Sequence, residues 1–568
     1  MINTELKGDY LLAKNNHIPE LKDNDTILVN DKKKAELFNK YFLNLAVINK
    51  SSTERISNTR NSKSIFFRPT DENEILQTIN SLKNNAAPGA DNITAKDIKL
   101  VATIISPVVT NLMNKCIDSG EFPLCLKRTI IVPIFKSGER YDPTNYRPIS
   151  ILPILSKVFE KVVESRLRNF INNTIGFDSQ QFGFQSNSNI DSAVLELVNH
   201  IKMCQSKKQY VLGVFIDLKK AFDTVSHNLL LDSLEEIGER GVANNFFKNY
   251  LSNRPVSTKV NKTCSSEESL KCGVPQGSIL GPLLYLLFIN NIKNAGLRGY
   301  YTVFADDTSL LYSAKTKAEL EEKVNEDLCR LKYWIEGNQL SLNINKTNYI
   351  IFLTRNKENI FPNIQLDSTV LKRVSEVKYL GMIVDYGLTW NSHVNYINKK
   401  LAPLIGALRR CNFEQTVRKL IFDAFICSKI RYGVLIWSLF SESNLQRMNN
   451  LMKRAIKCLY KLDLHTPSNT LFSQVKALPL REIKKIEQCK LIHRLKNNNI
   501  KSNFVLSTHD DRHNYLTRRR RHLSYSDEHP ILNDAILEFN SLPDEIKNIL
   551  SFKTFKYKLK IYIMDLIN

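Results

Sequence analysis

The stretch Tyr210-Val-Leu-Gly-Val-Phe-Ile-Asp217 decides the fold. Its continuous apolar run has the length of one strand and is typical of a β-strand that is buried on both faces. Because the run ends directly at Asp217, a rigid element would carry this carboxylate out of the apolar layer. A second stretch, Tyr300-Tyr-Thr-Val-Phe-Ala-Asp-Asp-Thr-Ser-Leu-Leu-Tyr312, predicts two strands that meet at a tight turn, with Asp306 and Asp307 at its apex.

These carboxylates would converge if the strand and the hairpin are neighbours in one sheet. Asp217 and Asp306 would then meet at the sheet edge, where carboxylates repel one another unless cations neutralise them. Hard oxygen ligands select Mg²⁺, and two such ions about 4 Å apart stabilise the attacking and leaving oxygens of a phosphoryl transfer. Asp is also common in turns, so the pattern by itself is better explained by an ordinary hairpin.

Composition limits the class of protein. The chain has 568 residues, of which 43% are hydrophobic and 24% charged, as in a globular protein of several domains. Its 80 Lys and Arg exceed its 57 Asp and Glu, which gives a net charge of +23. This surplus indicates either a nucleic-acid partner or simply a soluble basic protein, and charge alone does not separate the two.

The sequence carries no sign of a membrane or secretory protein. The longest apolar stretch, residues 282–289, is far too short to cross a bilayer, so no membrane partner is expected. The start of the chain lacks an apolar signal region, and the ten scattered Cys indicate reduced thiols. We therefore expect an intracellular protein of the nucleus or the cytoplasm.

Helical periodicity surrounds the central strands. An apolar face that includes Phe38 and Phe42 predicts a helix capped by Asp31, and Asp71 with Glu74 predicts the start of another. Together, a mixed middle and a helical end predict an α+β fold. Further patterns predict a strand at 129–134 and helices at 150–172, 188–205, 283–292, 393–410, 412–430 and 444–461.

Three motifs follow one another along the chain. They are FIDLKKAFD (Phe215–Asp223), GVPQGSILGP (Gly273–Pro282) and FADD (Phe304–Asp307). In this order they resemble the motifs of reverse transcriptases, and more narrowly those of non-LTR retrotransposons of the jockey and chicken-repeat kind. The resemblance runs from about residue 30 to the C-terminus. It includes the segments Ala86–Ile93, Asn145–Ser150, Gln181–Gln185, Leu342–Thr347, Tyr379–Gly381 and Phe539–Leu559.

The resemblance implies a right-hand polymerase of the α+β class. It would have fingers, a palm built on an antiparallel sheet, a helical thumb, and helical extensions at both ends. By this comparison residues 1–60 form an N-terminal helical extension and linker, 61–385 the fingers and palm with a core domain at 117–385, 386–470 the thumb, and 471–568 a basic C-terminal region.

The resemblance also implies which residues bind the metal ions and select the sugar. Asp217 and Asp306 would bind two Mg²⁺ ions, with the backbone carbonyl of Leu218 as a further ligand, and Asp307 would support the pair. Phe222 stands where the family places a bulky side chain that excludes a 2′-hydroxyl and so selects deoxynucleotides. Without the resemblance, Phe222 reads as an ordinary core residue.

Further residues match positions that contact nucleotide and primer. Lys136 and Arg147 would hold the triphosphate, although exposed Lys and Arg are usually only solvated. Lys346 would protonate the departing pyrophosphate. Gln276 and Gly277 would touch the nascent base pair or the template. The turn Tyr379, Leu380 and Gly381 would support the primer end, or could belong to the core.

Four residues near the C-terminal end have side chains that zinc uses. Cys489 and His493 are one helical turn apart, and Cys458 and His465 lie nearby in the chain. The spacing does not match a known zinc pattern and no close Cys pair exists, so no zinc ion is expected.

The implied activity is attack of a primer 3′-hydroxyl on a deoxynucleotide, directed by an RNA template. The implied partners are the RNA template, a DNA primer or target, and dNTPs. Residues 1–60 are too few to hold the endonuclease of such elements, so we expect either nicking supplied in trans or a truncated copy. Two alternatives come from other classes: a catalytically silent, nucleic-acid-binding remnant, and an RNA-templated RNA polymerase that accepts ribonucleotides.

Overall fold

The apolar run that ends at Asp217 is a β-strand in a computed structural model of the chain. The structure describes residues 18–44, 53–57, 60–352, 362–438, 441–463, 465–497, 500, 506–508, 516–518 and 530–566. It divides into two units. As far as they are described, unit 1 comprises residues 1–178, 218–297 and 330–342, and unit 2 comprises 179–217, 298–329 and 343–568.

The mixture of helices and sheets confirms the predicted α+β class. The strands are β1 (Leu21–Asp23), β2 (Thr26–Leu28), β3 (Thr129–Phe135), β4 (Tyr146–Ile151), β5 (Tyr210–Asp217), β6 (Arg254–Val260), β7 (Thr263–Cys264), β8 (Glu268–Leu270), β9 (Tyr300–Phe304), β10 (Asp307–Ala314), β11 (Asn348–Phe352), β12 (Gln365–Leu366), β13 (Thr369–Val370), β14 (Lys372–Arg373), β15 (Glu376–Tyr379), β16 (Met382–Asp385), β17 (Leu506–Thr508) and β18 (Leu516–Arg518).

The helices occupy most of the remaining described chain. Short 3₁₀ segments span Pro143–Asn145 and Asn290–Ala295, and a π-helical turn spans Phe422–Cys427. The α-helices are Asp31–Leu43, Glu72–Ser81, Ala95–Leu100, Ala102–Ser119, Leu124–Lys127, Ile154–Asn173, Ile190–Ser206, His227–Ile237, Val242–Leu251, Leu280–Ile289, Lys317–Gly337, Asn391–Arg409, Gln415–Ile421, Ser428–Arg431, Val434–Trp437, Glu442–Tyr460, Ser468–Gln474, Leu480–Lys496, Pro530–Asn540, Asp544–Lys547 and Phe552–Asp565.

Unit 2 is built on a sheet with the strand order β14-β11-β5-β10-β9. Strand β5 is antiparallel to both β10 and β11, and only the edge strand β14 is parallel to its neighbour. Residues 211–216 of β5 are buried, as their continuous apolar character predicts. Val211 and Phe215 belong to one hydrophobic cluster with Val194 and Ile201 of the helix Ile190–Ser206. This helix therefore covers one face of the central strand.

The same hydrophobic cluster continues through the helices that follow the sheet. It includes the fully buried rings of Trp390 and Trp437 and apolar residues of the helices Asn391–Arg409 and Glu442–Tyr460. Both helices lie within two residues of their predicted bounds, because their apolar side chains recur at helical spacing.

Unit 1 contains a second sheet with the order β4-β3-β6-β7, in which β8 also pairs with β6. Strands β3 and β4 form an antiparallel hairpin, whereas β3 and β6 are parallel. The N-terminal helix packs against this sheet through Phe38, whose ring centroid lies 4.9 Å from that of Tyr146. Phe38, Phe42, Tyr146 and Val256 share one hydrophobic cluster.

Several predicted helix starts are wrong in detail. Residues 150 and 151 belong to β4, because they pair with Ile131 and Ile130, and the helix begins only after Pro153. The helix predicted at 283–292 spans Leu280–Ile289. The N-terminal helix is capped by Asn30, whose side chain accepts hydrogen bonds from two backbone N–H groups, while Asp31 is its first residue.

No helix among the described residues has both the length and the apolar character needed to cross a membrane.

The segment around Gly183 lies directly beside the β9–β10 hairpin. Phe182 N donates to Val303 O at 2.7 Å, and Val303 N donates to Gln180 O at 2.9 Å, so this segment runs parallel to β9. A Cβ atom on Gly183 would lie 2.4 Å from the backbone nitrogen of Ala305. Glycine at this position therefore allows the segment to approach the hairpin turn.

We expect Gly183→Ala to destabilise the protein by about 1–3 kcal/mol, because the added methyl group meets backbone that cannot move aside freely. The measurement is the free energy of unfolding by denaturant titration. Gly406→Ala is the matched control: Gly406 lies in a helix, and a Cβ atom there would meet no atom of the surrounding protein within 4 Å. Alanine should therefore be neutral or stabilising by roughly 0.5–1 kcal/mol at this position. Equal stability of the two variants would contradict the packing at Gly183.

Candidate active site

The β9–β10 turn presents a carboxylate at its apex. Strand β9 ends at Phe304 and β10 begins at Asp307, and these two residues are paired, so the turn consists of Ala305 and Asp306. Ala305 has a φ of +60°, a left-handed conformation that costs a residue with a side chain about 1–3 kcal/mol. A positive φ at the first turn residue suits the twist of a two-residue hairpin. The turn leaves both Asp306 and Asp307 exposed.

Strand register brings a second carboxylate to the same end of the sheet. Asp217, the last residue of β5, is paired with Asp307, the first residue of β10. Directly opposed residues of an antiparallel pair have Cβ atoms about 4.5–5.5 Å apart. The sequence predicts that Asp306 meets Asp217, but Asp306 occupies the turn and Asp307 takes the opposed position. Asp306 is the next residue along the chain.

The side chain of Asp217 is held by a turn that follows much later in the chain. Asn343 Nδ2 donates to Asp217 Oδ2 at 2.8 Å, and Asn343 N donates to the Asp217 carbonyl, also at 2.8 Å. The buried Thr347 hydroxyl accepts from Asp217 N at 3.4 Å and donates to the Asn343 carbonyl at 3.0 Å. Lys346 is exposed in this same turn, with its N–H bonded to Asn343 O at 3.0 Å.

Sequence reasoning missed the roles of Asn343 and Thr347. The motif Leu342–Thr347 contains both residues, but the resemblance implies a role only for its Lys. The sequence offered one signal for this role, the amide side chain of Asn343 within a motif segment. Neighbouring residues do not indicate that its partner is Asp217.

Leu218, the expected carbonyl ligand, is buried and pairs with Leu342 in an isolated β-bridge.

The carboxylates have the chemistry that a hard divalent cation requires, since Asp217, Asp306 and Asp307 offer only oxygen donors. Two opposed carboxylates favour a cation between them because their like charges repel. The described residues contain no group of three or more His, Cys, Asp or Glu arranged to hold a metal ion. Asp217 and Asp307 are therefore not part of a larger cluster of this kind.

The Tyr379–Gly381 turn belongs largely to the core of unit 2. The Tyr379 hydroxyl is 2.8 Å from Thr302 Oγ1, and its ring centroid is 5.3 Å from that of Phe215. Burial raises the pKa of Tyr379 to about 12. Leu380 and Gly381 both have positive φ, as in a tight hairpin turn, and the Leu380 carbonyl accepts a hydrogen bond from the Tyr432 hydroxyl. The Tyr379 side chain is therefore a packing element, and a primer contact there stays a prediction.

In unit 1 the ring of Phe222 is fixed by stacking. Its centroid lies 4.0 Å from that of Tyr285, with an interplanar angle of 20°. Tyr285 is fully buried in the helix Leu280–Ile289. The carbonyl of Phe222 accepts from Val274 N at 2.9 Å, which ties this ring to the glycine-rich loop. Phe222 itself is half-buried.

The loop that carries Gln276 and Gly277 is held at both residues. Gln276 Nε2 donates to Asp223 Oδ1 at 2.7 Å, and the Gln276 carbonyl accepts from Ser150 N at 2.7 Å. Gly277 has a φ of +124°, and a Cβ there would lie 2.4 Å from Ser150 O. Only glycine fits this approach without strain. Asp223 was not predicted as a functional residue, although it closes the FIDLKKAFD motif.

The two basic residues of the β3–β4 hairpin lie at the same end of it. Lys136 directly follows β3, and its N–H donates to Asn145 O at 2.9 Å. Arg147 lies in β4 opposite Ile134. Both basic residues are exposed, so the hairpin places two cationic side chains together on the surface of unit 1.

Of the four residues considered for zinc, His493, in the helix Leu480–Lys496, has defined contacts. His493 Nε2 is 2.6 Å from the carbonyl oxygen of Ile549, and its ring stacks on Phe555 at 4.0 Å. Burial lowers the pKa of His493. Cys489 is buried in the same helix, Cys458 is half-buried and His465 is exposed.

Comparison with known proteins shows what the chain is similar to. The family model for reverse transcriptase (RNA-dependent DNA polymerase) matches residues 134–384. In Drosophila melanogaster, a probable RNA-directed DNA polymerase from transposon BS is 28% identical over 72% of this chain and 46% of its own length. The RNA-directed DNA polymerase from mobile element jockey of the same species is 25% identical over 68% of this chain and 43% of its own length.

A polyprotein from another kind of element also matches. The Retrovirus-related Pol polyprotein from type-1 retrotransposable element R1 of Bradysia coprophila is 27% identical over 64% of this chain and 37% of its own length. The chain thus spans less than half the length of these relatives. Neither alternative class, the silent remnant or the RNA-templated RNA polymerase, is favoured by these matches. Residues 134–384 thus match the reverse transcriptase family, and the chain is similar to the polymerases of non-LTR retrotransposons.

Proposed function

We propose that the chain is an RNA-directed DNA polymerase that extends a DNA primer with dNTPs on an RNA template. The observation that carries the proposal is the pairing of Asp217 with Asp307, with Asp306 beside it, inside the segment that matches the reverse transcriptase family. The positive net charge of +23 suits a nucleic-acid substrate. We further propose that it acts inside the cell, in the nucleus or the cytoplasm, where an endonuclease supplied in cis or in trans would provide the primer.

In this proposal Asp217, Asp306 and Asp307 hold two Mg²⁺ ions, with the carbonyl of Leu218 as a further ligand. Reverse transcriptases use divalent metal ions, which supply charge neutralisation at the attacking and leaving oxygens. Asn343 keeps the Asp217 carboxylate oriented through its N–H donor. Positioning of this kind is what phosphoryl transfer chiefly requires of a protein.

The remaining residues would bind and select the nucleotide. Lys136 and Arg147 would bind the triphosphate by charge-assisted hydrogen bonds. The stacked ring of Phe222 would lie under the sugar and exclude a 2′-hydroxyl, which its rigid contact with Tyr285 supports. Gln276 and Gly277 would contact the nascent base pair, and Lys346 would donate a proton to pyrophosphate. The Tyr379–Gly381 turn would support the primer end through its backbone.

The proposal is tested by primer extension on an RNA template with the full chain. We expect Mg²⁺-dependent synthesis that EDTA stops, and a loss of at least about 10²–10³-fold in Asp217→Asn and Asp306→Asn, since each removes charge at the developing transition state. Asp565→Asn, at an exposed position far along the chain, is the control and should keep full activity. Full synthesis by either active-site variant would refute the metal assignment.

Sugar selection gives a second prediction. Phe222→Ala should incorporate ribonucleotides far more readily than the wild type, because the ring that blocks the 2′-hydroxyl is gone. Phe222→Tyr keeps the ring and should keep the discrimination. The measurement is the ratio of kcat/KM for a dNTP and the matching rNTP. Unchanged discrimination in Phe222→Ala would remove Phe222 from this role, and a wild type that prefers rNTPs would point to an RNA polymerase.

Asn343 gives a third prediction. Asn343→Ala removes a hydrogen bond to a charged group, worth about 1.5–3 kcal/mol, so kcat should fall by roughly 10–100-fold. The Mg²⁺ concentration for half-maximal activity should rise, while KM for dNTP should change little. Asn348→Ala is the control, because Asn348 donates to Lys346 O in the same turn at 2.8 Å and has no bond to Asp217. A fall in stability without either kinetic change would count against the positioning role.

A further inference from the structure

Glu160 is a buried carboxylate that neither the motifs nor the proposed chemistry uses. It lies in the helix Ile154–Asn173 and is fully buried. Its Oε2 accepts hydrogen bonds from Ile279 N at 2.6 Å and from Leu280 N at 3.4 Å. These are the backbone N–H groups at the start of the helix Leu280–Ile289, whose N-cap residue Ile279 has no side chain that can accept a hydrogen bond. Glu160 therefore caps these two N–H groups in its place.

The other carboxylate oxygen joins a buried polar network. The Tyr250 hydroxyl donates to Glu160 Oε1 at 2.8 Å. The Arg254 guanidinium lies 4.5 Å from the centroid of the Tyr250 ring and donates to the Tyr250 carbonyl at 3.1 Å. Arg254 is itself buried and also donates to the Lys127 carbonyl at 3.2 Å. Burying the charges of Glu160 and Arg254 is costly unless hydrogen bonds satisfy them. Each of these two side chains makes several hydrogen bonds.

This network lies at the start of the capped helix, directly after the loop that carries Gln276 and Gly277. Only Ser278 separates Gly277 from Ile279, and the Ser278 hydroxyl accepts from Gly281 N at 2.9 Å. The loop that carries Gln276 is thus tied to Ser150 and Asp223 on one side and to Glu160 on the other. Loss of the Glu160 bonds would free the C-terminal end of this loop while the other contacts remain.

We propose that Glu160 is a positioning residue of the nucleotide site, whose carboxylate fixes the start of the helix Leu280–Ile289 and thereby sets Gln276 against the nascent base pair. The inference rests on the proposed polymerase function. Glu160 contacts no substrate in this account and acts only through the loop. Its effect should therefore be seen in nucleotide binding and accuracy more than in the chemical step.

The experiment compares Glu160→Gln and Glu160→Ala with Glu236→Gln in the full chain. Glu236 is the matched control: it is also a buried carboxylate of unit 1, but its partner is Arg55, at 3.0 Å. Each protein is assayed for KM and kcat with a dNTP, for the misinsertion ratio, for the melting temperature, and for hydrogen exchange of the Ile279 and Leu280 amides.

We expect Glu160→Ala to raise KM for dNTP about tenfold, to raise misinsertion, and to speed exchange at both amides, with a smaller effect on kcat. Glu160→Gln should be intermediate, because its amide oxygen can still accept from Ile279 N. Glu236→Gln should lower the melting temperature without changing KM, misinsertion or exchange at these amides.

Two results would overturn the inference. One is kinetic constants and accuracy in both Glu160 variants that equal those of the wild type, whatever their stability. The other is unchanged exchange at Ile279 and Leu280 in Glu160→Ala. Since exchange needs no activity, an inactive wild type would defeat the proposed function separately, while the exchange data would still judge the effect of Glu160 on the loop.

Discussion

The antiparallel pairing of β5 with β10 is the constraint on which the candidate site depends. Successive side chains of a strand point to opposite faces, so a slip of one residue would turn Asp217 away from Asp307 and would also expose the apolar face of β5. Burial of Val211 and Phe215 against the helix Ile190–Ser206 opposes that slip. The apolar layer of unit 2 therefore sets the register, and the register sets the spacing of the carboxylates.

Polar contacts then refine what the register provides. Asn343 orients the Asp217 carboxylate, and Gly183 lets a neighbouring segment support the strained turn at Ala305. In unit 1, Asp223 and Glu160 hold the loop of Gln276 by hydrogen bonds to a side-chain amide and to backbone N–H groups. Each of these contacts involves a charged or buried group, whose loss costs more than an exposed surface contact.

Prediction from sequence succeeded where the signal is local. The strand 210–216, the hairpin at 300–312 and the helices near 393–410 and 444–461 follow from the spacing of apolar residues a few positions apart. The predicted boundaries of helices are wrong where residues pair with a strand that is distant in the sequence. Residues 150 and 151 read as the start of a helix, but pairing with β3 draws them into a strand. The predicted boundaries of fingers, palm and thumb remain predictions.

What the sequence by itself determined is the α+β class, the resemblance to reverse transcriptases and the identity of the acidic residues at the candidate site, because motifs and apolar periodicity depend on residues that are close together in the sequence. The tertiary structure alone decided that Asp307 opposes Asp217, that Asn343 holds Asp217 from 126 positions away, and that Glu160 caps a helix 119 positions away. Such contacts depend on how separate elements pack and on strand register, and no local pattern encodes either.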